Sequence, residues 1–126
     1  MKSRELSIKG FTLIEIMIVV GIIGLLAAIA VPNWVHARTT SQNNACISNL
    51  RQIWGATQQW ALDNRAGPDA DVAPEVILPY LRNAVVCPAG GSAATFGSSY
   101  TLTTVSNIPT CRIAPTAHVL LPDTSS

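Results

Sequence analysis

Charge is scarce in this chain of 126 residues: Asp, Glu, Lys and Arg together make up 12%, and the formal net charge is +1. No run of Lys or Arg is present, which excludes a partner held by long-range electrostatics, nucleic acid above all. A phosphate-binding loop, a Gly-x-Ser-x-Gly elbow and a paired-carboxylate motif are also missing. His36 and His118 have no nucleophile or carboxylate at a recognisable spacing, so each reads as a surface or edge residue and no enzyme is expected. Metal-ligand spacing is lacking as well. Cys46, Cys87, Cys111 and His118 nominally add up to a Cys₃His set, but there is no C-x₂₋₄-C pair. Neither a metal nor a cofactor is expected.

What the chain does have is apolar and concentrated at one end. Hydrophobic residues make up 48% of the sequence, and residues 16–31, IMIVVGIIGLLAAIAV, are apolar without interruption. The length allows one small domain, and setting this run aside leaves a C-terminal part with limited material for a core. Positive charge is local: Lys2, Arg4 and Lys9 precede the run, opposed only by Glu5.

The first 35 residues admit three readings. A secretory signal has a basic start, an apolar core of about 7–15 residues and a small-x-small cleavage site, for which Ala28-Ile29-Ala30 would serve. The core would then be long and would hold a carboxylate, Glu15, near its start. A plain anchor is the second reading: Phe11 to Val31 spans about 30 Å as a helix, enough to cross the hydrocarbon, with the basic residues keeping the N-terminal end in the cytoplasm. Glu15 is again awkward, because an ionised group inside a span costs roughly 2.5–3.5 kcal/mol on insertion scales. The third reading is a processed leader followed by a retained helix.

Lys9-Gly10-Phe11-Thr12-Leu13-Ile14-Glu15, together with Pro32, resembles the cleavage and methylation signature of type IV prepilins and type II secretion pseudopilins. The resemblance implies that a cytoplasm-facing prepilin peptidase cuts after Gly10 and that the new Phe11 amine is methylated. A glycine before the cut suits a closely held substrate backbone. Glu15 then has a use: it can pair with the Phe11 amine of a neighbouring subunit, and because removing one member of a buried ion pair is expensive, the pair would set the axial register. Pro32 bends the helix in this family, and Gly21 and Gly24, each about 1 kcal/mol less favourable in a helix than alanine, would make local loosening easier. On the residues alone, Pro32 reads equally as the end or kink of a span at the membrane surface.

From Asn33 the composition turns polar but keeps an apolar face. Cys46, Ile47, Leu50, Ile53, Trp54, Thr57, Trp60 and Ala61 recur at three- and four-residue steps, while Arg38, Gln42, Asn49, Arg51, Gln52, Gln58 and Gln59 fill much of the rest. The pattern stops at Asp63-Asn64-Arg65-Ala66-Gly67-Pro68. A helix from Phe11 to Asn64 would be roughly 80 Å long. Trp54 and Trp60 read as core aromatics, and Trp34 as an interfacial ring.

The remainder reads as a cap of short elements. Pro74 to Leu81 predicts a helical turn that packs Leu78 and Leu81 onto the stem. Ser99 to Val105 alternates and predicts a strand, Ala117 to Leu121 a second, and Ala93 to Phe96 a weak third. The whole is then α+β: a long N-terminal helix, half membrane-spanning and half amphipathic, packed against a small antiparallel sheet. The boundaries are 1–10 for the leader, 11–32 for the membrane or filament-core helix, 33–64 for its amphipathic continuation and 65–126 for the cap. Leu78-Pro79-Tyr80-Leu81, Cys87-Pro88-Ala89-Gly90-Gly91 and Tyr100 loosely resemble the cap of major pseudopilins and short pilins. Some members hold that region with calcium through clustered acids. Here Asp63, Asp69, Asp71 and Asp123 are scattered and Cys87-Pro88 stands where an acid-proline pair is the rule, so no calcium site is expected.

Three cysteines outside the cytoplasm would allow a disulfide. Cys87–Cys111 is the favoured pairing, closing a loop for roughly 3–4 kcal/mol in the chain-entropy model; Cys46 fits a buried apolar thiol, and its pairing with either of the others stays open. The function these readings imply is a structural subunit of a type IV pilus or a secretion pseudopilus. Its partners would be copies of itself, related minor pilins, the prepilin peptidase, an inner-membrane assembly platform and the inner membrane itself. The competing class is a single-span, membrane-tethered binding or sensor module that does not polymerise.

Overall fold

The computed structural model describes residues 9–121; Lys2, Arg4, Glu5 and the rest of residues 1–8, with Asp123, lie outside the described residues. One helix dominates. It runs as α1 from Leu13 to Asn64, so the sequence reading places its C-terminal end correctly and its start two residues early. The described chain divides into two compact units, up to Ala37 and from Arg38 onward.

In the first unit the described residues are helical from Leu13 onward. Every residue from Lys9 to Ala37 is exposed, including large apolar side chains such as Leu13, Ile14, Met17, Ile23, Leu26 and Ile29. This helix is long and apolar enough to cross a membrane. Pro32 lies inside α1. Its ring nitrogen has no proton to give the Ala28 carbonyl, yet helical conformation continues on both sides.

The second unit is built on the other end of α1. Cys46, Leu50, Ile53, Ala56, Thr57 and Ala61 are its buried residues, the three- and four-residue spacing of one face. Trp60 packs against this core from its edge and Trp54 is half-buried. The helix ends through Arg65 in left-handed conformation, φ 51°. Ala66 N–H donates to the Ala61 carbonyl at 2.9 Å and Arg65 N–H to that of Leu62 at 3.4 Å. That pair of bonds is a Schellman cap, a position where glycine is usual.

After this cap the chain makes α2, Pro74–Ile77, continued by a 3₁₀ turn at Leu78–Tyr80. The helical turn expected here is present, but its buried residue is Ile77; Leu78 faces out, 44% exposed. A second 3₁₀ turn at Pro88–Gly90 leads to α3, Phe96–Ser99, and then to β1, Tyr100–Thr101. The strand expected over 93–96 is therefore absent: Thr95 caps α3 through a reciprocal pair of bonds with Ser98. β1 pairs antiparallel with β2, Thr110–Cys111, in the register Tyr100↔Cys111 and Thr101↔Thr110. The partner of β1 is thus β2, and residues 117–121 form no strand. Beyond Thr101 the predicted strand turns aside. Val72 N–H donates to the Thr103 carbonyl at 2.8 Å and Val105 N–H to that of Ala70 at 3.1 Å, so this stretch crosses to the loop after α1 in place of extending the sheet.

Polar residues of α1 fasten the loops to the helix. Asn49 Nδ2 donates to the Val86 carbonyl and to the Tyr100 hydroxyl, both at 3.0 Å, and Gln58 Nε2 donates to the Val105 carbonyl at 2.9 Å. Both residues read from sequence as part of a solvated face. Gly90 and Gly91 mark a tight turn: a Cβ on Gly90 would come within 2.9 Å of that of Ala94, and Gly91 has φ +77°.

Candidate functional site

Two places carry unusual chemistry. The first is the start of α1. Gly10 and Phe11 are exposed and lie outside regular structure, ahead of Leu13. A side chain at Gly10 would meet nothing within 4 Å, and the same holds for Gly21 and Gly24, so packing within the described chain demands glycine at none of the three.

Thr12 and Glu15 form a reciprocal cap. The Thr12 hydroxyl oxygen accepts from Glu15 N–H at 3.3 Å, while Glu15 Oε2 accepts from Thr12 N–H and from its hydroxyl, each at 3.0 Å. This is a capping box, which closes two of the otherwise orphaned donors at a helix start. The carboxylate also faces the positive end of the helix dipole. The charge that reads as awkward inside a span is therefore held by its own chain. The sequence reading counts Thr12 in the cleavage and methylation signature but not as the partner of Glu15, although Thr-x-x-Glu before an apolar run is the signal of a capping box.

The second place lies in the C-terminal unit. Cys46 comes from the buried stripe of α1, Cys87 from the loop before the Pro88 turn, Cys111 from β2 and His118 from the turn after it. All four are buried: Cys46 and Cys87 at 0% exposure, Cys111 at 1% and His118 at 2%. The three sulfurs and one imidazole nitrogen all lie within 4.8 Å of one another. Cys87 Sγ and Cys111 Sγ are each 3.5 Å from His118 Nδ1 and 3.7 Å from each other. All three thiols are free. Cys87–Cys111, the expected disulfide, is adjacent here but unbonded.

Neighbours orient this cluster. His118 Nε2 lies 2.6 Å from Asn43 Oδ1, so the ring proton sits on Nε2 and the Nδ1 lone pair faces the sulfurs. Cys46 Sγ is 3.7 Å from the Tyr100 hydroxyl. That hydroxyl accepts from Asn49 Nδ2 at 3.0 Å and from the Cys46 thiol. Ser99 Oγ accepts from Cys87 N–H at 3.1 Å. Burial pushes the Cys46 thiol up to about 12, raises the Tyr100 phenol and lowers His118, since each charged form loses water there. Sequence reasoning weighed these four residues together and set them aside for want of a local cysteine pair.

Comparison with known proteins bears on the first place. Residues 7–31 match the prokaryotic N-terminal methylation motif. The chain is 46% identical over 69 residues to a type IV major fimbrial protein, FimA, of Dichelobacter nodosus, covering 55% of this chain and 42% of that protein. It is 33% identical over 89 residues to type II secretion system core protein G of Klebsiella pneumoniae, covering 66% and 61%. To the type IV major pilin protein PilA of Myxococcus xanthus it is 46% identical over 52 residues, covering 41% and 24%. The chain thus spans between about a quarter and three-fifths of the length of these relatives. No solved structure matches.

Proposed function

We propose that this chain, which carries a prepilin-type methylation motif and is related to type IV pilins and type II secretion core protein G, is a structural subunit of a helical filament. One observation carries the proposal. An exposed, non-helical Gly10–Phe11 junction stands directly before a helix whose apolar residues, from Leu13 to Val35, are all uncovered. So much uncovered apolar surface requires lipid or protein around it. Lipid around one chain and the helices of other chains in a filament core are two successive ways to provide that cover.

In this reading residues 1–10 are a leader removed by the prepilin peptidase. Phe11 becomes a methylated N-terminus, and residues 11–32 anchor the precursor in the inner membrane with the cap on its outer side. An assembly platform then moves the subunit from lipid to filament. Gly10 needs no side chain because the peptidase grips the backbone there. Cleavage creates an ammonium group one residue before Thr12. On entry to the filament Glu15 exchanges its Thr12 donors for the Phe11 amine of a neighbour, so neither charge is ever left bare. Pro32, with one helix bond already missing, and Gly21 and Gly24 supply the weak points where α1 adjusts its axis. Contacts between unlike faces of successive copies generate an open filament, with minor pilins as related copies.

Overproduction in a cell with the assembly machinery, followed by shearing and sedimentation, tests this. The expected outcome is the processed chain in the sedimented filament fraction. A chain that stays wholly in the membrane fraction while the other filament subunits sediment would establish the non-polymerising tether instead.

A further inference from the structure

We propose that Cys46, Cys87, Cys111 and His118 form a structural zinc site that fastens the C-terminal unit together. The geometry of Cys87, Cys111 and His118 fits the ion closely. With Zn–S near 2.3 Å and Zn–N near 2.0–2.1 Å, a tetrahedral site has S···S edges of about 3.8 Å and S···N edges of about 3.6 Å. The Cys87–Cys111 separation is 3.7 Å, and both sulfurs lie 3.5 Å from His118 Nδ1. Cys46 Sγ completes the set, with all four ligand atoms within 4.8 Å of one another.

The surroundings point the same way. Asn43 fixes the imidazole with its proton on Nε2, the outer partner that a ligating histidine ordinarily has. The Tyr100 hydroxyl at Cys46 supplies a proton donor for a coordinated thiolate. A set of three sulfurs and one nitrogen suits zinc and not calcium or magnesium, which take oxygen. On binding, three thiols release their protons to solvent and four bonds form to the metal. The completed site carries one negative charge.

A disulfide uses these groups less well. Joining Cys87 to Cys111 shortens 3.7 Å to about 2.05 Å and removes both S–H groups, so His118 Nδ1 keeps no proton donor from the two sulfurs beside it. The unit also needs a staple. Its sheet consists of two-residue strands, too little to stand alone, and its core includes the three cysteines themselves. A metal joining α1, the loop before the Pro88 turn, β2 and the turn at His118 would supply folding energy directly.

The test uses the full chain in detergent, isolated from the cell envelope without a histidine tag, with metal measured by plasma mass spectrometry. The expected result is one zinc per chain, with all three thiols unreactive until the metal is displaced. Replacing zinc by cobalt should give sulfur-to-cobalt charge transfer and the intense d–d bands of a tetrahedral thiolate site. Cys111→Ser and His118→Ala should lose the metal. Asn43→Ala, which leaves every ligand in place, should still bind but release zinc to a competing chelator ~10–100-fold more readily; equal retention would remove Asn43 from the site. A chain that holds no zinc, even after reduction and incubation with it, overturns the proposal. So does a Cys87–Cys111 disulfide in the chain as isolated.

Discussion

Asn49 offers the sharpest test of how the cap is held to α1. Its side-chain amide donates to the Val86 carbonyl and to the Tyr100 hydroxyl, each at 3.0 Å, and Tyr100 is 2% exposed. Asn49→Ala removes both donors and leaves both acceptors in place. A buried acceptor left unpaired costs about 1–3 kcal/mol. Asn49 itself is only half-buried, so water reaches part of the gap and the expected loss is about 2–4 kcal/mol for the pair. Asn49→Asp should cost more, because it sets a carboxylate oxygen against the Val86 carbonyl. The assay is equilibrium urea unfolding of the full chain in mild detergent, read by fluorescence of Trp54 and Trp60, with the slope checked for constancy. Tyr100→Phe and the double variant complete a cycle, with an expected coupling of about 0.5–1.5 kcal/mol, the worth of one hydrogen bond. A loss below about 0.5 kcal/mol for Asn49→Ala, or strict additivity with Tyr100→Phe, would refute the reasoning.

Other expectations follow from single positions. Ile53→Ala, at a fully buried site, should cost about 2–5 kcal/mol in the same assay, whereas exposed Leu62 replaced by alanine should cost almost nothing. Gly90→Ala places a Cβ 2.9 Å from that of Ala94 and should destabilise the cap by about 1–3 kcal/mol; Gly21→Ala and Gly24→Ala meet open space and should leave the precursor's stability unharmed. Glu15→Gln keeps a capping-box acceptor but removes the charge. Processing should then proceed while filament yield, measured by shearing, falls well below that of the parent chain; unchanged yield would deny Glu15 a role in register.

The long helix was legible because its signals are local. An unbroken apolar run, then a stripe at three- and four-residue steps, then Asp63 to Pro68, need no knowledge of the rest of the chain. Thr12 is equally legible as the partner of Glu15, because Thr-x-x-Glu stands directly at the start of the apolar run. The cap was harder. Ser99 to Val105 alternates like a strand, yet only Tyr100 and Thr101 pair in the sheet, because Thr103 and Val105 bond to the loop after α1. The partner strand Thr110–Cys111 is too short to show a period. The Cys₃His cluster left no spacing signal, for its members come from four separate elements. Cys87 and Cys111 stand 24 residues apart, Cys111 and His118 stand 7 apart, and folding alone brings them together. Asn49 and Gln58 looked like solvated positions because sequence cannot say that a loop's carbonyl groups will arrive above them.

Intact and N-terminal mass spectrometry of the chain extracted from native membranes tests the central claim most directly. The account predicts a protein that begins at Phe11 with a methylated amine and lacks residues 1–10. A chain that still begins at Met1, in cells whose prepilin peptidase processes other substrates, would contradict it.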